Sequence, residues 1–155
     1  MELAKNGSLH DIIKSIMLNN GPLQYTNTSR QIILAGVSRG MKYLHDRGII
    51  HRDLKAGNIL VDENFHHLIT DFGMSKFSDA GHSRSQSQYG GTISYMAPEI
   101  IKNEKYYFKV DVYAFGILMF EIVSDSFSYP EFEKGEISDF AFRIKVANEK
   151  YRPKF

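Results

Sequence analysis

The apolar run at residues 112–123 constrains the fold of this chain more than any other segment. It reads VYAFGILMFEIV, is too short to cross a bilayer, and carries one charge at Glu121. A run of this kind is typical of a helix at the centre of a soluble domain, here predicted from Asp111 to Val123. With 155 residues the chain is long enough to enclose that helix in one domain with a hydrophobic core.

Composition and charge agree with a soluble globular protein, since 43% of the residues are apolar and 24% are charged. The formal net charge of +1 gives no reason to propose a nucleic acid or a membrane surface as a partner. The chain has no cysteine, which excludes disulfides and thiolate metal sites and fits a cytoplasmic location.

Capping and periodicity predict two helices in the first third of the chain. Ser8 is expected to cap a short helix over residues 8–17, with Asp11 as its capping-box partner. A longer helix is predicted over residues 29–46, and Gly48 follows where a left-handed residue would end it. Its buried face is marked by apolar residues at helical spacing: Ile33, Val37, Met41 and Leu44.

Further along the chain, shorter patterns predict a hairpin, a loop and one more helix. Two β-branched pieces at residues 59–61 and 67–70 flank a polar turn, which indicates a small β-hairpin. Residues 79–89 are polar and small, and are expected to form a mobile loop. An amphipathic helix is predicted over residues 137–148, after a connection at Tyr129-Pro130.

Two residue pairs in these elements have both a structural and a functional interpretation. His66 and His67 could suggest a metal site, but adjacent strand residues point to opposite faces, which favours a hairpin surface. Gly36 and Gly40 lie four residues apart on the long helix; in a soluble helix this pattern indicates close packing more often than dimerisation.

Three sequence blocks in a fixed order carry the strongest functional signal. They are HRDLKAGN at residues 51–58, DFG at residues 71–73 and APE at residues 97–99. Each block alone is weak, but together, at these distances, they resemble the catalytic signatures of protein kinases. Lys55 and Thr92 are typical of serine/threonine kinases, and residues 111–116 (DVYAFG) look most like the tyrosine-kinase-like group of that class.

The resemblance implies a mainly α fold with a small β-hairpin, that of a kinase large (C-terminal) lobe. Residues 1–155 would form a partial kinase domain that begins at the hinge between the lobes. The sequence contains no Gly-x-Gly-x-x-Gly motif, so the small lobe is expected to be absent from this chain. The last helices of the domain are also expected to be absent from it.

The resemblance also implies a role for each residue of the catalytic blocks. Asp53 would orient the substrate hydroxyl and accept its proton, while Lys55 would neutralise charge on the transferring phosphoryl group. Thr92 would form a hydrogen bond close to Asp53 and Lys55. Asn58 and Asp71 would supply the hard oxygen ligands that Mg²⁺ prefers.

ATP binding and regulation follow from the same resemblance. Adenine would meet the backbone of Glu2 and Ala4 in the hinge, with Leu60 under the ring. Arg52, beside the catalytic Asp, suggests activation by a phosphate on the following loop, which would come from an upstream kinase. The candidate phosphorylation sites are Ser83, Ser85 and Ser87.

Packing roles can be assigned in the same way. His51 and Phe72 resemble the stacked residues that set the active geometry of kinases, and Asp111 resembles the helix aspartate that binds the backbone of the His-Arg-Asp turn. Phe72, Phe115 and Phe120 are expected to be core aromatics.

The function predicted from these motifs is ATP-dependent phosphorylation of serine or threonine on protein substrates, with the isolated chain inactive. A non-catalytic kinase-like interaction module is the first alternative, although the intact catalytic residues argue against an evolved pseudokinase. A small-molecule phosphotransferase related to kinases is a weaker alternative, because such enzymes seldom carry the full segment at residues 92–99.

Overall fold

The structure, a computed structural model, describes residues 5–22, 24–77 and 91–154. Within these ranges six α-helices, three one-turn 3₁₀ helices and four short strands make a mainly helical fold, as predicted. None of the described helices combines the length and apolarity that a bilayer crossing requires. In chain order the elements are α1 (Leu9–Met17), α2 (Asn27–Asp46), β1 (Ile49–Ile50), β2 (Ile59–Val61), β3 (His67–Ile69), β4 (Lys76–Phe77), α3 (Pro98–Ile101), α4 (Lys109–Ser124), α5 (Pro130–Glu133) and α6 (Asp139–Asn148).

The four strands form two small antiparallel sheets. β2 and β3 pair as the predicted hairpin, with Ile59 opposite Ile69 and Val61 opposite His67. β1 and β4 pair separately, with Ile49 opposite Phe77. The second sheet was not predicted, because strands of two residues are too short to show an alternating pattern.

Both N-terminal helices begin at a capping box. Ser8 caps α1 and exchanges hydrogen bonds with Asp11, as predicted. Thr26 caps α2 and exchanges hydrogen bonds with Ser29, so α2 begins at Asn27 rather than at Ser29. Ser29 is thus the capping partner inside the first turn. Gly48 adopts the expected left-handed conformation, with φ of 72°.

The predicted central helix is α4, which begins at Lys109, two residues earlier than expected. Ala114, Leu118 and Ile122 pack in one core cluster with the buried residues of α1 and α2. All four residues predicted for the buried face of α2 are in that cluster: Ile33, Val37, Met41 and Leu44. The apolar run therefore forms the predicted helix, but only part of its surface is buried, since Val112, Met119 and Val123 are exposed.

The C-terminal part differs from the prediction in two details. The connection after Tyr129 contains the short helix α5, because Pro130 fits the first turn, where its missing N–H costs nothing. α6 begins at Asp139 rather than at residue 137, since Ser138 supplies the cap. The ring of Phe142 in α6 packs edge-on against Tyr129, with 4.8 Å between the centroids.

Candidate active site

The segment that carries HRD is fixed to α4 by one buried carboxylate. Asp111, only 2% exposed, accepts hydrogen bonds from the backbone N–H of His51 and of Arg52, both at 2.9 Å. His45, near the end of α2, reaches the same carboxylate at 2.8 Å. The hydrogen bonds expected of Asp111 are therefore present, and they position the backbone that leads into Asp53.

Asp53 lies at the centre of a hydrogen-bonded cluster. Its Oδ1 accepts from the backbone N–H of Thr92 at 3.0 Å and from the Thr92 hydroxyl at 3.2 Å. Its Oδ2 accepts from the amide of Asn58 at 3.0 Å and lies 3.1 Å from the ammonium of Lys55. Lys55 also donates to the Thr92 hydroxyl at 2.8 Å. The structure thus brings together four of the residues that the sequence singled out.

The β2–β3 hairpin brings Asp71 to the same place. Thr70, which precedes Asp71, donates its backbone N–H to the carbonyl oxygen of Asn58 at 2.9 Å. Asp71 has a left-handed backbone, with φ of 63°, and its carboxylate accepts from the N–H of Gly73. The hairpin therefore places Asn58 against Thr70, the residue directly before Asp71.

The donor atoms of Asn58 and Asp71 fit magnesium. The amide nitrogen of Asn58 is committed to Asp53, through its carbonyl at 2.8 Å and its carboxylate at 3.0 Å, so the amide oxygen is the atom that can bind a cation. With the carboxylate of Asp71 this gives two hard oxygen ligands, and magnesium typically takes its remaining ligands from phosphates and water. No group of three or more His, Cys, Asp or Glu residues in the described ranges is arranged to hold a metal ion.

His51 and Phe72 are in contact, but only His51 belongs to the core. The His51 ring is fully buried; its Nδ1 accepts from the N–H of Asp53 at 3.3 Å, and its Nε2 lies 3.2 Å from the carbonyl of Thr70. The Phe72 ring lies 5.3 Å from the His51 ring but is 46% exposed. The expectation of a core aromatic is wrong for Phe72, because a one-turn helix at the rim leaves its other face open.

The other two aromatics expected in the core are there. Phe120 is 9% exposed, and Phe115 packs against the main core cluster. Both are on α4, whose Ala114, Leu118 and Ile122 belong to the main core cluster. Phe72 is more exposed than these two residues because of its position in the one-turn helix, not because of its residue type.

Tyr95 is a part of the site that the motifs did not assign. Its hydroxyl accepts from the backbone N–H of Ala56 at 3.2 Å and donates to the carboxylate of Glu121. Ser128 donates to the other oxygen of that carboxylate from its N–H at 3.2 Å and its hydroxyl at 2.9 Å. Glu121 thus connects α4 to the catalytic segment through Tyr95.

Burial governs the ionisation of this pair. It raises the pKa of the Glu121 carboxyl, although hydrogen bonds from Tyr95 and Ser128 oppose the increase. Burial, together with the neighbouring Glu121 charge, also raises the pKa of the Tyr95 hydroxyl. A charged residue inside an apolar run signals that partners are needed. The run itself could not show which residues they are.

The remaining predicted site residues are only partly described. Leu60 lies in β2, where it forms an isolated bridge with Ser8. The guanidinium of Arg52 lies 6.0 Å from the centre of the Tyr106 ring. The predicted contacts to adenine and the predicted phosphorylation sites lie outside the described residues: Glu2, Ala4, Ser83, Ser85 and Ser87.

Comparison with known proteins agrees with this geometry. The family model described as "Protein kinase domain" matches residues 1–153. A probable serine/threonine-protein kinase of Dictyostelium discoideum is 36% identical, over 99% of this chain and 16% of that protein. Cysteine-rich receptor-like protein kinase 26 of Arabidopsis thaliana is 44% identical, over 74% of this chain and 18% of its own length. Human ribosomal protein S6 kinase alpha-1 is 34% identical, over 80% of this chain and 17% of its own length.

A solved structure resembles the fold as well. The crystal structure of the yeast RNA Pol II CTD kinase CTDK-1 complex contains a chain that matches with a TM-score of 0.70 and 26% identity. The match covers 79% of this chain and 38% of that one. This chain therefore spans less than a fifth of the three relatives and well under half of the structural neighbour.

The matched family model covers nearly the whole sequence, and Lys55, Asn58 and Thr92 meet around Asp53. The chain belongs to the protein kinase domain family, and its Dictyostelium relative is named a probable serine/threonine-protein kinase.

Proposed function

We propose that this chain carries the phosphoryl-transfer site of a kinase that uses ATP and Mg²⁺ to phosphorylate serine or threonine on protein substrates. The observation that carries the proposal is the Asp53 carboxylate, held by Thr92, Lys55 and Asn58. Phosphoryl transfer requires positioning and charge neutralisation more than covalent chemistry. A fixed carboxylate beside a fixed ammonium supplies both.

Each residue then has one task. Asp53 orients the acceptor hydroxyl and takes its proton as the new oxygen–phosphorus bond forms and the bond between the γ-phosphorus and the ADP leaving group breaks. Lys55 keeps its ammonium within 3.1 Å of Asp53 and 2.8 Å of Thr92, so it can neutralise charge on the transferring group without moving far. Asn58 and Asp71 offer the oxygen ligands for magnesium, which when bound neutralises phosphate charge.

Nucleotide binding and regulation stay predictions. The adenine ring is proposed to meet the backbone of Glu2 and Ala4 and to rest on Leu60. A phosphate on Ser83, Ser85 or Ser87, added by an upstream kinase, is proposed to pair with Arg52. A cytoplasmic location is also a prediction only.

A fusion protein tests the proposed transfer. The 155 residues contain no glycine-rich loop, so this polypeptide assayed alone is expected to transfer no phosphate from ATP. Joined behind the small lobe of the Dictyostelium relative, it is expected to label a serine- and threonine-containing protein in the presence of magnesium. Asp53→Asn should lower that rate by roughly 100-fold or more, and chelation of magnesium should abolish it.

The control is Asp46→Asn, which removes an exposed carboxylate paired with Lys42 on α2 and should leave the rate unchanged. A fusion that folds and binds ATP with magnesium but transfers nothing would contradict the proposal and favour the interaction module. Robust transfer by the isolated chain, lost in Asp53→Ala, would contradict the expected inactivity of the chain alone.

A further inference from the structure

The hairpin that carries the proposed magnesium ligands is docked on α2 through two glycines. A Cβ placed on Gly36 would lie 1.5 Å from Cε1 of the His67 ring, and one placed on Gly40 would lie 2.7 Å from Cδ1 of Ile69. His67 and Ile69 are alternate residues of β3, so both side chains leave the strand on the α2 side. Gly36 therefore forms a notch that the His67 ring occupies.

The nitrogen atoms of the His67 ring have few hydrogen-bond partners at this position. Its Nδ1 is buried and has no hydrogen-bond partner among the described residues. Burial lowers the pKa of His67, while a hydrogen bond to the backbone of Gly36 opposes that effect. The charged groups that face the ring are Arg39 on α2 and His66, which lower its pKa, and Asp62 in the turn, which raises it.

This environment accepts the neutral ring and disfavours the charged one. A neutral imidazole has one N–H donor and one acceptor nitrogen, whereas the protonated ring has two donors. Protonation would place a second N–H, on Nδ1, in a position where no acceptor is present in the described structure. A buried donor without a partner loses its hydrogen bond to water and gains none in return, so it destabilises the arrangement that buries it.

The position of the hairpin determines the position of both proposed ligands. Asn58 stands immediately before β2, and Thr70 and Asp71 follow β3. Thr70 binds the Asn58 carbonyl through its N–H at 2.9 Å and its hydroxyl at 3.2 Å. Any change in how β3 sits on α2 is therefore transmitted to this pair.

We propose that His67 is a positioning residue: its neutral ring, seated over Gly36, docks the β2–β3 hairpin on α2, and protonation of the ring unseats the hairpin. Docking of the hairpin on α2 is thus complete above pH 6.5, the ordinary pKa of histidine, and is lost as the pH falls below that value. The part of this inference that concerns magnesium rests on the proposed function, whereas the docking itself does not.

The experiment uses the 155-residue chain without nucleotide, so its outcome is independent of phosphoryl transfer. Proton NMR follows the Cε1–H signal of His67 during a pH titration, with exposed His66 as the internal comparison. The two signals are assigned by their disappearance in His67→Gln and His66→Gln. We expect the pKa of His67 to lie below the ordinary histidine value of 6.5.

Amide exchange then measures docking directly. Protection factors of Val61 and Thr70 are expected to fall roughly tenfold between about pH 7 and about pH 5, while those of α1 stay constant. His67→Gln, which cannot be protonated, should remove this pH dependence, and His66→Gln should retain it. If the hairpin of the His67→Gln variant does not dock on α2, His67→Phe provides a second uncharged side chain for the same comparison.

Two helical glycines provide a further matched pair. Gly36→Ala should fill the notch, expel the ring and lower hairpin protection at both pH values. Gly116→Ala lies in α4 with no atom within 4 Å of the added carbon, so hairpin protection should not change. The proposal is overturned if the pKa of His67 is at or above 6.5, or if His67→Gln keeps the full pH dependence of the hairpin.

Discussion

At the scale of single residues, two buried tyrosines show how much a hydroxyl depends on its partners. Tyr95 accepts a hydrogen bond from Ala56 and donates one to the buried Glu121 carboxylate. Tyr25 is also buried, yet its hydroxyl has no hydrogen-bond partner among the described residues. Burial raises the pKa of Tyr25 to about 12, so its hydroxyl stays neutral at physiological pH. The same residue type therefore has opposite energetic roles at these two positions.

Tyr95→Phe should reduce the free energy of unfolding by roughly 1–3 kcal/mol at neutral pH. The substitution leaves the N–H of Ala56 and one oxygen of Glu121 without their partner. The pKa of Glu121 is raised, so this carboxyl opposes folding above that pKa and the penalty is relieved as protonation begins at lower pH. The loss should therefore be larger near neutral pH than at about pH 5, as measured by urea unfolding at both.

Tyr25→Phe is the control for that experiment. It removes a buried hydroxyl that makes no hydrogen bond of normal geometry in the described structure and interacts with the Arg30 side chain, so the loss of stability should be smaller than that of Tyr95→Phe. Equal destabilisation by the two substitutions would show that ring packing, rather than the hydrogen bonds of Tyr95, accounts for the effect.

At the scale of the elements, caps determine where the helices begin. α1, α2 and α6 start directly after Ser8, Thr26 and Ser138, and each cap side chain accepts a backbone N–H of its first turn. The predicted starts of α2 and α6 were wrong by two residues, because apolar periodicity locates the middle of a helix better than its first turn. The correct starts are set by these hydrogen bonds.

Ser8→Ala should cost about 1 kcal/mol of stability near neutral pH. The hydrogen bond from the Ser8 hydroxyl, at 2.6 Å, is the main reason why the pKa of Asp11 lies below its ordinary value of 3.8. This stabilisation is present above pH 3.8 and is lost as the pH falls through the lowered pKa. Thermal unfolding should therefore show a smaller difference between wild type and variant under acidic conditions.

Ser38→Ala is the matched change inside a helix. Ser38 is exposed on α2 and donates only to the carbonyl of Ala35, at 2.8 Å, so we expect a change within about 0.5 kcal/mol. A Ser8→Ala penalty that does not vary with pH would contradict the role given to Asp11.

At the scale of the whole molecule, Asp111 connects three parts of the chain that are distant in sequence. Its carboxylate is hydrogen-bonded to the ring of His45 on α2 and accepts hydrogen bonds from the backbone N–H groups of His51 and Arg52. Asp111 itself belongs to α4. The central helix is therefore also the support of the catalytic segment. Packing alone would leave the orientation of that segment free.

Asp111→Asn should destabilise the protein by about 2–3 kcal/mol, because the amide has one acceptor oxygen in place of two and presents N–H groups to the backbone donors. Urea unfolding measures the loss, and amide exchange should show reduced protection at His51 and Arg52. Asp46→Asn, in an exposed pair with Lys42, should cost about 0.5 kcal/mol or less. Equal effects of the two substitutions would contradict the connecting role of Asp111.

The sequence by itself determined the longer elements and the residue types of the site. The apolar run predicted α4, the apolar periodicity predicted the buried face of α2, and the short β-branched pieces predicted the β2–β3 hairpin. Asp53, Lys55, Asn58, Asp71 and Thr92 were identified because their residue types and spacing form a recognisable motif. Such signals are local, so they can be read along the chain.

Only the tertiary structure decided which distant groups meet. It paired Glu121 with Tyr95, joined β1 to β4, seated His67 over Gly36 and left Phe72 at an open rim. None of these contacts leaves a local pattern, because each depends on how elements that are far apart in the sequence pack together. Burial then decides the energy of every polar group, since the cost of an unpaired donor or charge depends on what surrounds it.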